Sequence, residues 1–359
     1  MGKENNFILV TGSDGLVGSE SVRYYSKKGF SVIGIDNNSR KKFFGDEASV
    51  LWNRKSLKQE VENYVSFNRD ITNKESMEKI FSEYGSDIVL VIHAAAQPSH
   101  DWAAQNPRLD FSTNAIGTLN ILECFREYSP NASFIYTSTN KVYGSNPNKI
   151  ELDEEELRFT PKKGSHFEMG IDESMSIDKT LHSLFGVSKS SADLLVQEYG
   201  KYFDLNTVCF RGGCLTGPNQ SGTMLHGFLS YLLKCISTEK EYTIFGYKGK
   251  QVRDNIHSKD LIEAFNEYFK KPTKGEVYNI GGGLDSNCSM LEAIKIGERI
   301  SEKQFKYQYS ENPRIGDHKW YVSDLRKFQK DYPGWKINYN IASTMEEIFN
   351  ENIHRWYKK

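Results

Sequence analysis

Apolar residues in the first 140 positions fall into short runs separated by stretches of helical period. Phe7–Val10 is one such run, closed by Thr11-Gly12. Runs this short, bounded by glycine, read as buried strands. A helix pattern follows to about Lys28, where Gly29 suits a C-terminal cap. Ser31–Asp36, Tyr64–Phe67, Ile88–His93 and Phe134–Thr137 read as further strands. Residues 38–62 are polar and basic with no clear period, and read as a surface excursion. Thr72 and Glu75 form a capping-box pattern that opens a helix to about Tyr84. Residues 107–127 carry a long helix pattern. Strands alternating with helices predict an α/β fold, a Rossmann-type doubly wound parallel sheet.

Residues 180–202 read as helix and Thr207–Arg211 as strand. Beyond Arg211 glycines cluster and the periods become irregular. A domain over 1–211 is therefore expected, then a smaller α/β domain over 212–359. About 255–281, with Lys259–Phe269 and Val277–Ile280, is expected to return to the first domain. The acidic run Glu151–Glu156 has no ligand spacing and reads as a solvated loop face.

Composition narrows the function. The 359 residues carry 46 basic and 47 acidic side chains, a net charge of -1. That balance argues against nucleic acid as the main partner. The longest apolar stretch, Ile88 to Ala96, is well short of the ~18 residues of a membrane span. The N-terminal MGKENNFILVTG has no leader-like apolar region. Cys124, Cys209, Cys214, Cys235 and Cys288 are odd in number and widely spaced. They read as free thiols of a cytoplasmic protein, and no metal site is expected.

The sharpest chemical signal is Thr11-Gly12-Ser13-Asp14-Gly15-Leu16-Val17-Gly18, between a strand and a helix. Gly12 permits the tight turn, Gly15 lets backbone approach a pyrophosphate, and Gly18 lets helix pack on strand. Leu16 and Val17 open the helix whose free N–H groups face that pyrophosphate. Asp36, ending the second strand beside Asn37, can accept both hydroxyls of a ribose and repels a 2′-phosphate. NAD is thereby favoured, while nearby Arg40 keeps NADP open as an alternative. Asp70-Ile71 suits an adenine contact, though Asp70 reads equally well as a helix-entry residue. Ala94, Ala95 and Ala96 offer small side chains where a cofactor passes close to backbone. Asn114, a poor helix former inside a helix, points to a polar role.

Together with Ser138-Thr139-Asn140-Lys141-Val142-Tyr143-Gly144 and Ser188-Lys189, these motifs resemble the extended short-chain dehydrogenase/reductase family and its nucleotide-sugar epimerases and dehydratases. Gln97-Pro98-Ser99-His100-Asp101-Trp102, Ile171-Asp172-Glu173-Ser174 and Gly249-Lys250-Gln251-Val252-Arg253-Asp254 resemble its CDP-paratose 2-epimerase branch. The resemblance runs from about residue 6 to at least 325. It implies an NAD-binding Rossmann domain, a second domain for a nucleotide-diphosphate sugar with a CDP-sugar favoured, and a homodimer or homotetramer. It also implies that Thr139 bonds the sugar and that Lys189 binds the nicotinamide ribose. Gln97, Ser99, Asn140 and Lys141 would line the substrate. Arg253 and Arg314 would hold its diphosphate; the bland alternative for Arg253 is a surface ion pair with Asp254.

One position departs from the family. Its motif is Tyr-x-x-x-Lys, but here the register reads Phe185-Gly186-Val187-Ser188-Lys189. A phenyl ring has no proton to exchange. A natural subgroup with another acid/base, an engineered inactive variant, and a binder without turnover all fit. Tyr143, His182 and Lys189 are the candidate replacements. His182 would lie about one turn before Phe185 if that segment is helical; it also reads as a surface histidine, and Tyr143 as a packing residue. Cys214, in a bend-rich stretch, reads as a small buried filler.

Overall fold

The computed structural model describes residues 6–224, 226–314 and 316–357. The chain divides into two compact units. The first comprises residues up to Val142, Leu184–Arg211 and Ile262–Tyr278; the second comprises Tyr143–Ser183, Gly212–Leu261 and the chain from Asn279 onward. Residues 143–183 thus group with the second unit, and only part of 255–281 groups with the first.

The first unit is built on a seven-stranded sheet: β1 (Phe7–Thr11), β2 (Ser31–Ile35), β3 (Tyr64–Phe67), β4 (Ile88–His93), β5 (Ser133–Thr139), β6 (Asn206–Gly212) and β7 (Glu276–Ile280), in the order β7-β6-β5-β4-β1-β2-β3. The pairs β5-β4, β4-β1, β1-β2 and β2-β3 are all parallel. Strands β1, β2 and β4 are buried along nearly their whole length, as a sheet covered on both faces requires. Leu9, Ile33, Val91 and Phe134 from the sheet join Met77, Phe81, Ile121, Phe125, Ala192 and Val196 from the helices in one core.

Several local expectations are corrected. Residues 38–62 are not an irregular excursion. They form α2 (Ser39–Phe44) and α3 (Leu51–Glu60), following α1 (Leu16–Lys27). The period is present but sparse, because Phe43, Ala48, Val50, Leu57 and Val61 are the buried apolar positions among many charges. The cap of α4 (Lys74–Tyr84) is Asn73, whose side chain accepts the Ser76 N–H; Thr72 instead bonds Asp70. The helix expected over 107–127 is α6 (Pro107–Phe111) and α7 (Gly117–Tyr128), joined by one π turn over Ser112–Ile116 and preceded by α5 (His100–Gln105). Helix α8 begins at Leu184, not near 180, and runs to Tyr202.

The second unit has small sheets and its own core. The strand Val252–His257 pairs antiparallel with Asn287–Ser289 and parallel with Trp320–Tyr321 and Cys214–Thr216. Leu229, Leu232, Ile236, Ile244, Ile294, Met345 and Ile348 make the apolar cluster. The acidic run is not loop throughout: Leu152–Glu154 pairs with Phe159–Pro161, and Glu154 holds Lys248 and Lys250.

Candidate functional site

The glycine loop after β1 is as tight as its sequence implies. Gly12 has φ +68°, and a Cβ there would lie 2.8 Å from the Ala95 nitrogen. A Cβ on Gly18 would lie 2.0 Å from the Gly12 oxygen, so helix and loop can meet only through glycine. Gly15 is the N-cap of α1, with no side chain capping the Leu16-Val17 end and no acidic residue in the first turn. The Ala94 and Ala95 N–H groups donate to Thr11 O and Oγ1, at 3.2 Å each, tying the loop after β4 to the glycine loop. Ala94, Ala95 and Ala96 are half-buried.

Asp36 stands at the rim of this loop. Its carboxylate accepts the Asp14 N–H at 3.1 Å and the Asn38 N–H at 2.7 Å, and is 11 % exposed. Burial, then the charge of Asp14, pushes its pKa up to about 6. Asp14 is fully buried and ion-pairs with Arg54 at 2.5 Å. Arg54 also donates to the Asp36 carbonyl at 2.8 Å, and Asn53 donates to the Asp14 carbonyl at 2.8 Å. Asp14, Asn53 and Arg54 were missed by sequence reasoning; the helical spacing of Val50, Leu57 and Val61 would have placed Arg54 on a packed helix. Arg40, on α2, lies 5.1 Å above the Phe44 ring, and burial lowers its pKa to about 10 against the charge of Asp36. Asn37 donates to Asp70 at 2.9 Å, and Asp70 also accepts the Thr72 N–H at 2.9 Å, so it organises the entry to α4. Ile71 is buried beneath Gly117.

Asn114 lies in the π turn, a distortion frequent where side chains must be re-aimed. Its Oδ1 accepts the Gln97 N–H at 2.8 Å, and its amide donates to Gln97 O, Asp110 and Ser188 Oγ within 3.1 Å. Gln97 is also spent internally, donating to Ser99 O at 2.9 Å and Asp110 at 2.6 Å. Ser99 caps α5 by accepting the Trp102 N–H. These three side chains therefore brace the loop after β4 against α8.

Lys189 is buried on α8. Its ammonium donates to Thr137 O at 2.8 Å and lies 4.2 Å above the Tyr136 ring. Burial lowers its pKa to about 7, with Asp193 opposing. Asp193 accepts Ser138 Oγ at 2.5 Å and both arms of Arg211 at 3.1 and 2.8 Å. This network fixes the strand end that carries Thr139. The Thr139 hydroxyl makes long contacts, 3.3 Å from the Lys141 nitrogen and 3.4 Å to Asn140. Asn140 and Lys141 continue into a 3₁₀ turn. Phe185 is 6 % exposed and meets the His100 ring at 5.0 Å between centroids, inclined at 67°. His93 is fully buried between Thr11 and Thr118, and burial lowers its pKa to about 3, so it is neutral.

In the second unit, Arg253 does not pair with Asp254. Successive strand residues face opposite ways. Arg253 pairs with Asp317 and donates to Val252 O at 2.7 Å, while Asp254 turns inward and is fully buried. Asp317 in turn donates its N–H to Arg314 O at 3.1 Å, so one turn links both arginines; Ile315 lies outside the described residues. Arg314 lies 4.7 Å above the Phe245 ring and donates to Met224 O at 2.9 Å. Tyr143 is fully buried and donates its hydroxyl to Asn279 at 2.7 Å. His182 lies 2.9 Å from Ile177 O and precedes the first turn of α8, so the helical spacing to Phe185 does not hold. Cys214 is half-buried on a strand rather than fully enclosed. Among the described residues, no group of three His, Cys, Asp or Glu side chains could hold a metal ion, and no helix is long and apolar enough to cross a membrane.

The sheet order and the glycine loop make the fold Rossmann-like, with smaller mixed sheets in the second unit. Residues 8–281 match the model of the NAD dependent epimerase/dehydratase family, and the chain belongs to that family. It is 32 % identical over 327 residues to the CDP-paratose 2-epimerase of Salmonella typhi, covering 89 % of this chain and 91 % of that one. It is 28 % identical to the UDP-glucuronate 4-epimerase of Thermodesulfobacterium geofontis, covering 97 % of each. Among solved structures it resembles a tyrosine-to-phenylalanine variant of the Bacillus cereus UDP-glucuronic acid 4-epimerase, in complex with UDP-4-deoxy-4-fluoro-glucuronic acid and NAD. That likeness has a TM-score of 0.76 and 26 % identity, covering 98 % of this chain and 100 % of that one.

Proposed function

We propose that this protein is an NAD-dependent nucleotide-sugar epimerase that inverts C2 of a CDP-hexose of the paratose/tyvelose type through a transient ketone. The observation that carries the reading is Lys189: a buried amine with a pKa of about 7, held at Thr137 O on the strand that ends at Thr139. The Salmonella typhi relative supports the CDP-hexose.

The residues present fit a dinucleotide. Gly12 lets the loop after β4 close on the glycine loop, the end of α1 at Gly15 carries no side-chain cap or acid, and Asp36 keeps a carboxylate at the rim, suited to a ribose diol. When bound, NAD supplies a hydride acceptor for a carbon whose C–H is not acidic. The chain's own residues then bind and move protons. Thr139 bonds the reacting hydroxyl. Lys189, with a pKa near neutrality, binds the nicotinamide ribose and exchanges protons without a large energetic penalty. Arg253 and Arg314 offer charged forks to the diphosphate. Gln97, Ser99 and Asn114 act indirectly in this reading, by bracing the loop after β4.

A second reading, a binder of NAD and a sugar nucleotide without turnover, is favoured by Phe185 alone. Incubation with CDP-, UDP-, GDP- and dTDP-sugars, with product NMR and analysis of the retained cofactor, separates the two. A new C2 epimer from a CDP-hexose, with NAD retained, is the expected result. Retained NADP, or no product from any sugar, overturns it.

A further inference from the structure

We infer that His100 is the acid/base that replaces the missing phenol, taking the proton from the sugar hydroxyl during oxidation and returning it afterwards. The inference rests on the epimerase reading above. Phe185 occupies the motif position four residues before Lys189, and the ring in contact with it is an imidazole, at 5.0 Å between centroids. Imidazole is the side chain whose ordinary pKa suits proton exchange near neutrality.

Position and rigidity agree with that role. His100 is the first residue of α5, on the loop that leaves β4 through Ala94–Ala96. That loop is fastened to α8: Gln97 bonds Ser99 and Asp110, Asn114 bonds Gln97, and the same Asn114 amide reaches Ser188 Oγ at 3.0 Å. Ser188 lies between Phe185 and Lys189, so one hydrogen-bonded chain sets the imidazole against the turn that carries the lysine. A positioned acid/base needs such support.

The step balances. The hydroxyl O–H breaks and its proton passes to a ring nitrogen of His100. The C–H electron pair leaves the same carbon as hydride to the oxidised nicotinamide, and C–O becomes C=O. Hydride and proton then return, the hydride to the opposite face of the ketone. Helices α6 and α8 pack against α5. Asp101 on α5, Arg108 and Asp110 on α6, and Lys189 and Asp193 on α8 are charged groups of these helices. Asp110 is bonded by Gln97 and Asn114, Asp193 by Arg211, and Lys189 by Thr137 O.

The test uses the full chain with its cofactor. His100→Gln should lower kcat by about 100-fold or more, the usual contribution of a positioned acid/base. NAD retention and the affinity for CDP should stay unchanged, and the acid limb of the kcat–pH profile should disappear. Adding Phe185→Tyr to His100→Gln should restore part of the rate, whereas Phe185→Tyr alone should change little. A His100→Gln protein with unchanged kcat overturns the inference and leaves the epimerase reading standing. A wild-type protein that turns over no sugar nucleotide overturns both. A second measurement needs neither turnover nor the variant's folding: the His100 imidazole resonance of the wild-type protein should shift when a CDP-sugar is added. A resonance that does not shift overturns the inference.

Discussion

Two glycine-rich regions of this molecule do opposite work. Around Gly12–Gly18, backbone meets backbone: a Cβ on Gly18 would strike the Gly12 oxygen at 2.0 Å, and the carboxylate bonded to this loop, Asp36, is still 11 % exposed. Around Gly213 and Gly281, backbone meets a side chain of its own unit. A Cβ on Gly281 would lie 1.8 Å from Asp254 Oδ2, and one on Gly213 would lie 2.2 Å from Oδ1. The first region keeps its acid at a rim; the second encloses its acid completely, with N–H groups from Ser323 at 3.0 Å and Gly283 at 3.4 Å. Burial pushes both carboxylates up to about 6, with the Asp14 charge adding to it at Asp36. A glycine pattern thus records that two groups come close, and only the partner decides whether the result is a cradle or a cage.

The rim carboxylate depends on a pair behind it, and breaking that pair should have the largest effect. Arg54→Met leaves Asp14 buried without its cation, which costs about 3–5 kcal/mol in comparable pairs. Urea unfolding should show that loss, and Asp14→Asn in the same chain should recover most of it. A single variant as stable as wild type would mean that the pair does not support the loop.

The caged carboxylate should show itself through pH. Asp254 has a pKa of about 6 in the fold against an ordinary 3.8. The fold therefore prefers its protonated form. That preference stabilises fully below pH 3.8 and is lost as pH rises through about 6. Between pH 4 and pH 7.5, Asp254→Asn should gain on wild type by about 2.4 kcal/mol, at 1.36 kcal/mol per pKa unit. Parallel stability curves for the two proteins would show that the cage does not hold a titrating acid.

Gly281→Ala sharpens the contrast between wall types. It should destabilise by about 1–3 kcal/mol through overpacking, and much of that should vanish in an Asp254→Ala background. Gly18→Ala should have no such side-chain rescue, because its wall is backbone. Additive effects of Gly281→Ala and Asp254→Ala in a double-mutant cycle would refute the close contact. The smallest effect concerns Arg253, which leaves the cage strand on its other face. Arg253→Ala should raise KM by about tenfold with little change in kcat, the pattern of a contact made equally in ground and transition states. An unchanged affinity for CDP would remove Arg253 from the site.

The fold was legible because its strands are buried on both faces and its helices carry one apolar stripe. Strands β1 to β4 fell within a residue or so of the apolar runs, and Gly12, Gly15, Gly18 and Asp36 stood out by spacing alone. Helices α2 and α3 were hidden because their few buried residues are outnumbered by charges. Asn114 showed as a polar residue out of place, but its partners at Gln97, Asp110 and Ser188 could not be read from its neighbours in the chain.

What the sequence determined by itself was the order of elements, the glycine loop with its acid, and a lysine motif that lacks its tyrosine. These are local patterns, set by periodicity and by what a backbone can do within a few residues. Packing between distant segments is what pairs Arg54 with Asp14, gives Arg253 to Asp317 rather than to its neighbour Asp254, and sets the His100 ring beside Phe185. Periodicity records which face of an element is buried. It carries no label for the side chain, tens of residues away, that packing brings against that face.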